Sequence, residues 1–204
     1  MIETLLSFAF ATFLLAISPG PDNIFVLTQS IVNGKKYGLA TVFGLISGCL
    51  IHTTLLAFGV SAIIKESESI FYAIKIFGAI YLLYLAYKVF RSEGKIVLPS
   101  ESTPSKTTKQ LFKQGFIMNV LNPKVSIFFL AFFPGFLFST TLSTVIQFYV
   151  LGFVFMLVSF IVFALIAILA GKISSTIKGN TNISYYLKYM QIVVFIGIAI
   201  FILL

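Results

Sequence analysis

Charged side chains are scarce in this chain, and that scarcity sets its class. Only 10% of its 204 residues are charged while 59% are hydrophobic, whereas soluble domains carry about 25% charged residues. The apolar residues fall in runs long enough to cross a bilayer, which takes about 20 residues of helix. This composition excludes a soluble globular protein and indicates a single, all-α integral membrane domain over residues 1–204. No polar stretch is long enough to form a second domain.

Cysteine and histidine are almost absent, which argues against several classes of function that depend on these residues. Cys49 and His52 each stand alone, so an intramolecular disulfide and a redox dithiol are excluded. A nucleophilic enzyme needs a base beside its nucleophile, and an intramembrane aspartyl protease needs paired carboxylates, whereas Asp22 alone lies deep in a span. We therefore expect no enzyme, no cofactor and no metal site. Export of a metal ion stays open as an alternative, with few ligands to support it.

Acidic residues are also few, which leaves a net charge of +8. Eleven of the fourteen basic residues fall near the loops that follow the first, third and fifth spans. Because basic loops stay in the cytoplasm, we expect both termini outside. Basic residues that lie between spans do not form a nucleic-acid surface. The eleven are Lys35, Lys36, Lys88, Arg91, Lys95, Lys106, Lys109, Lys113, Lys172, Lys178 and Lys188.

The apolar runs predict six transmembrane helices. Glu3 is the only early charge, which does not fit a secretory leader, so we expect residue 1 to be retained at the start of the first span. A polar linker, 92–110, separates a first repeat, 1–91, from a second, 111–204. Because each half holds three spans, the halves would have opposite orientations and form a 3+3 inverted repeat. The predicted spans are 4–33, 38–64, 70–90, 112–136, 144–170 and 186–204.

Proline interrupts the first and fourth spans at matching places. The first break reads Ser18-Pro19-Gly20-Pro21-Asp22-Asn23, and the second reads Asn122-Pro123-Lys124, with Pro123 following Pro21 by 102 residues. Proline removes a backbone donor and clashes with the preceding turn, so neither helix can continue unbroken. Broken helices at corresponding positions of two repeats are typical of a transporter binding site.

Two opposite charges accompany these breaks. Asp22 could receive the ammonium of an amino acid and carry a coupled proton, while Lys124 could receive the carboxylate. We expect the two residues close together at mid-membrane; an ion pair that only fastens the halves is the alternative. Other candidate ligands are Ser18, Asn23, Asn119 and Asn122.

His52 follows Gly48 by one helical turn in the second span. It could relay protons or line the path, or it could simply hydrogen-bond a neighbouring helix. Gly44 and Gly48 allow close approach of another helix. Whether that helix belongs to this chain or to a second copy in a homo-oligomer is left open.

Taken together, these motifs resemble the LysE/RhtB family of small bacterial amino-acid exporters. The resemblance covers both breaks, the Gly34 to Gly38 turn, the glycine-bearing second span, the run from Gly115 to Asn119, and Pro134. It implies a protein of the bacterial inner membrane and efflux of amino acids or small derivatives, driven by the proton gradient as in an antiporter. The chain differs from many members at Val125 and Gly135. A lysine in the site disfavours a cationic substrate side chain, so we expect neutral or polar amino acids.

Overall fold

The computed structural model describes residues 1–92, 106–179 and 181–204, all within helices or the short turns that join them. Residues 93–105 of the predicted linker, Lys95 among them, lie outside the described residues, as do the side chains of Lys65 and Lys178. The prediction of an all-α membrane protein is confirmed.

Ten α-helices account for the described part of the chain. A π-helical turn, Leu56–Val60, joins the third helix to the fourth, and a 3₁₀ turn, Phe133–Phe136, extends the seventh. In chain order the helices are α1 (Ile2–Ile17), α2 (Pro21–Val32), α3 (Lys35–Leu55), α4 (Ser61–Glu66), α5 (Glu68–Arg91), α6 (Thr108–Val120), α7 (Pro123–Phe132), α8 (Thr144–Ile168), α9 (Ala170–Gly179) and α10 (Thr181–Leu203).

Four stretches are continuous helices long and apolar enough to cross a membrane: Lys35–Ile64, Glu68–Arg91, Thr144–Ile168 and Asn182–Leu203. The helices α1 and α2 meet at 59°, and α6 meets α7 at 50°. With each bent pair counted as one span, the described residues contain the six predicted spans. The first and fourth are the broken ones, as the prolines predict.

Both second limbs begin in the same way. Pro21 and Pro123 occupy the first turn of α2 and α7, where the missing N–H is no loss and the fixed φ suits a helix. Gly20 caps α2 without a side-chain bond. At α7, Asn122 Oδ1 accepts a hydrogen bond from the Lys124 amide at 3.0 Å. The prolines thus end one helix and start the next.

Glycines bring α3 and α6 into close contact. A Cβ added at Gly44 would stand 2.1 Å from the Phe112 carbonyl oxygen, and one at Gly115 would stand 2.5 Å from the Thr41 carbonyl oxygen. Only glycine permits backbones to approach this closely. The partner of the small residues in the second span is therefore a helix of the same chain.

Helices of each half pack against helices of the other half. The second span of the first half, α3, packs on α6, and the second span of the second half, α8, packs on α1. The corresponding pairs α3 with α8 and α5 with α10 also contact each other. Such reciprocal packing is what a two-fold relation between halves produces, and the inverted repeat itself stays a prediction.

The helix α9 was not predicted. The predicted fifth span, 144–170, ends instead at Ile168, and a short helix follows at once. Ala170 and Ser174 are buried while Lys172, Ser175 and Thr176 are exposed, and α9 packs against α2. A short two-sided helix of this kind suits a membrane interface better than a crossing.

Candidate functional site

The two helix breaks line one small central cavity. Its volume is about 40 Å³, which is room for only a few water molecules. The first break provides Gly20 to Asn23, and α8 contributes apolar and hydroxyl groups. From the second break and α6 come Asn119, Asn122, Lys124 and Val125. The cavity thus brings together five of the seven predicted ligands, among them Asp22 and Lys124.

Asp22 is the second residue of α2 and is 7% exposed. Its carboxylate accepts hydrogen bonds from Asn122 Nδ2 at 3.2 and 3.3 Å. A negative charge in the first turn of a helix is stabilised by the helix dipole and by the free N–H groups there. The start of α2 therefore interacts favourably with a negative charge at this position.

Lys124 occupies the equivalent position of α7, where the same dipole disfavours a cation. Its Nζ lies 4.9 Å from the centre of the Phe195 ring, a cation–π contact. Within the described residues, no ion pair of 4.0 Å or less joins Lys124 to Asp22. The ammonium is thus held by an aromatic face and by proximity to a carboxylate, which leaves it able to bind a further anion.

Asn122 links the two breaks. Its Oδ1 caps α7 by accepting the Lys124 amide, and its Nδ2 donates across the cavity to Asp22. Because both ends of the side-chain amide are used, its orientation is fixed. Any movement of one break relative to the other must break or stretch the Asn122–Asp22 bond.

His52 holds the end of α6 and is not among the residues that line the cavity. Its Nε2 lies 3.0 Å from the Asn119 carbonyl oxygen. A carbonyl oxygen can only accept, so Nε2 must be the protonated nitrogen. The same oxygen accepts the Asn122 backbone amide at 3.0 Å. Of the two interpretations given above for His52, the structure shows the bond to a neighbouring helix.

The remaining predicted ligands differ in their surroundings. Asn23 lines the cavity, and its Nδ2 donates to the Ala16 carbonyl oxygen at 2.7 Å, closing the end of α1. Ser18 is fully buried between the two limbs, does not line the cavity, and its hydroxyl has no partner in the described part of the chain. Ser18 therefore belongs to the hinge between α1 and α2 rather than to the cavity wall.

The structure adds two polar cavity residues that the sequence analysis did not predict as ligands. Cys49 lies on α3, one turn before His52, and its thiol faces Asn119 Oδ1 at 3.7 Å. Ser159 interrupts the apolar run of α8 and is 3% exposed. The available signal was that Ser159 is the only hydroxyl-bearing residue in the apolar run 150–168. Among the described residues, no group of three or more His, Cys, Asp or Glu side chains is placed to hold a metal ion.

Comparison with known proteins agrees with this architecture. The sequence model of the LysE type translocator family matches residues 13–204. A homoserine/homoserine lactone efflux protein of Salmonella typhimurium is 32% identical over 166 residues, which is 81% of this chain and 80% of the relative. The protein of the same name from Salmonella typhi is 33% identical with the same coverage. No solved structure matches the chain significantly.

The match runs from α1 to the end of α10, so it includes both breaks and every residue of the central cavity. The chain belongs to the LysE type translocator family of membrane transport proteins.

Proposed function

We propose that this protein exports neutral or polar amino acids and their small derivatives from the cytoplasm in exchange for protons. The observation that carries the proposal is the central cavity, where one carboxylate and one ammonium face the same space from the starts of two half-helices. A zwitterionic amino acid carries the complementary pair of charges. The relatives named for homoserine and homoserine lactone efflux support the same substrate class.

The two substrates named for the relatives suggest which part of the substrate binds Asp22 and which part binds Lys124. Homoserine has an ammonium and a carboxylate, whereas its lactone keeps the ammonium and has lost the free carboxylate. If both are carried, the group they share must be recognised by Asp22. Lys124 then serves homoserine more than the lactone. A substrate with a cationic side chain would bring a second positive charge next to Lys124, which opposes its binding.

Proton exchange is proposed on the burial of Asp22. It is the one buried acidic side chain among the described residues, and its only hydrogen-bond donor from a side chain is a neutral amide. A carboxylate in such a place can hold either a proton or a substrate ammonium, but not both. Because the proton and the substrate compete for Asp22, outward movement of the substrate is coupled to inward movement of a proton.

The proposal also requires the protein to open. A cavity of about 40 Å³ cannot hold an amino acid of about eight non-hydrogen atoms. The structure therefore corresponds to a closed state, and the bends of 59° and 50° at the two breaks are the places where the limbs can move. In the predicted orientation, both termini face outward and the site alternates between the two sides.

Growth and release assays test the proposed function. Cells with and without the protein are grown on inhibitory levels of homoserine, threonine, serine, leucine, lysine and homoserine lactone, and the medium is analysed. We expect protection from, and release of, one or more neutral members but not lysine. No protection and no release across the panel would overturn the proposal, and release of lysine alone would overturn its substrate class.

A further inference from the structure

A second, larger cavity lies directly behind the first helix break. We call it the vestibule; it is lined by the break itself, the C-terminal end of α5 and the N-terminal half of α10. Its volume is about 270 Å³, against about 40 Å³ for the central cavity. Gly20 and Pro21 line both cavities, so this short segment is the wall between them. The vestibule has room for a small solute where the central cavity has none.

The vestibule carries one cation. Among its described lining residues, Lys188 is the only charged one, and Ser184 and Gln191 lie on the same face of α10 one turn to either side. The Lys188 Nζ donates to the Ser92 carbonyl oxygen at 2.6 Å, which caps the end of α5. An ammonium has three donors, and no acidic side chain among the described lining residues uses the others. Within that described part, Lys188 is therefore held in place with donors left to bind an anion.

The backbone conformation of the wall between the cavities does not require a glycine at position 20. Gly20 has φ −162° and ψ 176°, an extended geometry that any residue adopts. A Cβ at this position would point toward the Lys124 Nζ at 3.5 Å and toward Asn23 Oδ1 at 3.8 Å. Glycine is thus not needed for the fold of the break. Its effect is to leave the space between Gly20 and the Lys124 ammonium free of a methyl group.

We infer that the vestibule is an entry subsite that binds the substrate carboxylate before it reaches the central cavity. Lys188 is the residue that recognises the carboxylate in the vestibule, and Lys124, on the other side of Gly20, is the residue that receives it next. The inference rests on the proposed function. The ends of α5 and α10 that form the vestibule belong to the basic side predicted to be cytoplasmic, which is the side from which an exporter loads. A carboxylate would pass from one ammonium to the other past the Gly20–Pro21 wall.

The test is transport by the full chain in proteoliposomes, with the amino acid of the growth panel that the unmodified protein carries fastest. Lys188→Gln removes the charge, Lys188→Arg keeps it, and Lys109→Gln removes an equally basic but exposed side chain of α6 that lies away from the vestibule. We expect Lys188→Gln to raise the half-saturating concentration about three- to tenfold, with the maximal rate nearly unchanged. Lys188→Arg and Lys109→Gln should behave like the unmodified protein.

A second variant tests the passage between the two lysines and leaves Lys188 and its bond to the end of α5 unchanged. Gly20→Ala keeps the α2 N-cap free of a side-chain hydrogen bond, as glycine does, and adds a methyl group 3.5 Å from the Lys124 Nζ. We expect it to lower the maximal rate severalfold while the protein still inserts and purifies normally. An unchanged half-saturating concentration in Lys188→Gln, or a loss of maximal rate alone, overturns the vestibule inference. Absence of transport by the unmodified protein overturns the proposed function, and the inference with it.

Discussion

At the residue scale, the site is a chain of three hydrogen-bonded residues that joins the two breaks. The Asp22 carboxylate accepts from Asn122, and Asn122 in turn caps the helix that presents Lys124. Both charges were recognisable from the sequence, because an ionisable residue inside an apolar span is costly and needs a reason. The bridging role of Asn122 was not, because an asparagine before a proline looks like any helix cap until its second partner is known.

The first prediction separates the roles of the two charges. Asp22→Asn should abolish transport of both homoserine and its lactone, because each needs an acceptor for its ammonium. Lys124→Gln should reduce homoserine transport at least tenfold more than lactone transport, because only homoserine presents a carboxylate. Initial rates in proteoliposomes measure both effects.

Glu66→Gln is the matched control for Asp22→Asn, since it removes an exposed carboxylate at the end of α4. It should transport normally. Full transport of either substrate by Asp22→Asn would remove Asp22 from the mechanism, and equal losses of both substrates in Lys124→Gln would show that this lysine has no preference for a carboxylate.

At the element scale, the prolines made the two helix breaks predictable. The glycines of the second span indicated a close helix contact, which the structure shows to be that of α3 with α6. Predicted boundaries of 4–33 and 112–136 agree closely with the two bent pairs. The π-helical turn at Leu56–Val60 and the helix α9 were not predicted. Neither leaves a strong mark in the sequence: a π turn adds one residue per turn without a special residue type, and α9 is too short for its periodicity to stand out.

The close approach of α3 to α6 at Gly44 gives a prediction about the stability of the protein. Gly44→Ala places a methyl group 2.1 Å from the Phe112 carbonyl oxygen, and that oxygen belongs to helix backbone that cannot turn aside. Overpacking of this kind costs about 1–3 kcal/mol. We therefore expect the Gly44→Ala protein to melt several degrees lower in detergent, as followed by circular dichroism.

Gly59→Ala supplies the control within the same span, because nothing lies within 4 Å of a Cβ at this position. It should melt at the same temperature as the unmodified protein or slightly higher, since alanine favours a helix over glycine. If both variants melted alike, the close approach of α3 to α6 would not be a source of stability.

At the scale of the whole molecule, the reciprocal packing of the two halves is linked to the space available in the central cavity. The spans α3 and α8 each contact the first limb of the other half, and each also contacts the other. A rotation of one half against the other would therefore change the space between the breaks from both sides at once. Sequence alone predicted two halves, but it could not show this exchange, because identity between the halves is faint and contacts between distant spans leave no periodic signal.

The only cysteine of the chain reports on that opening. Cys49 is 2% exposed and lines the central cavity, so a membrane-impermeant thiol reagent should reach it only when the site opens. In proteoliposomes with a proton gradient, we expect alkylation to be at least tenfold slower than in the unfolded protein. Addition of a transported amino acid should change the rate, because it shifts the populations of open and closed states. Asp22→Asn should abolish that response, while Cys49→Ala gives the unlabelled background. A rate as fast as that of the unfolded chain, or one indifferent to every transported amino acid, would contradict a closed cavity that opens during transport.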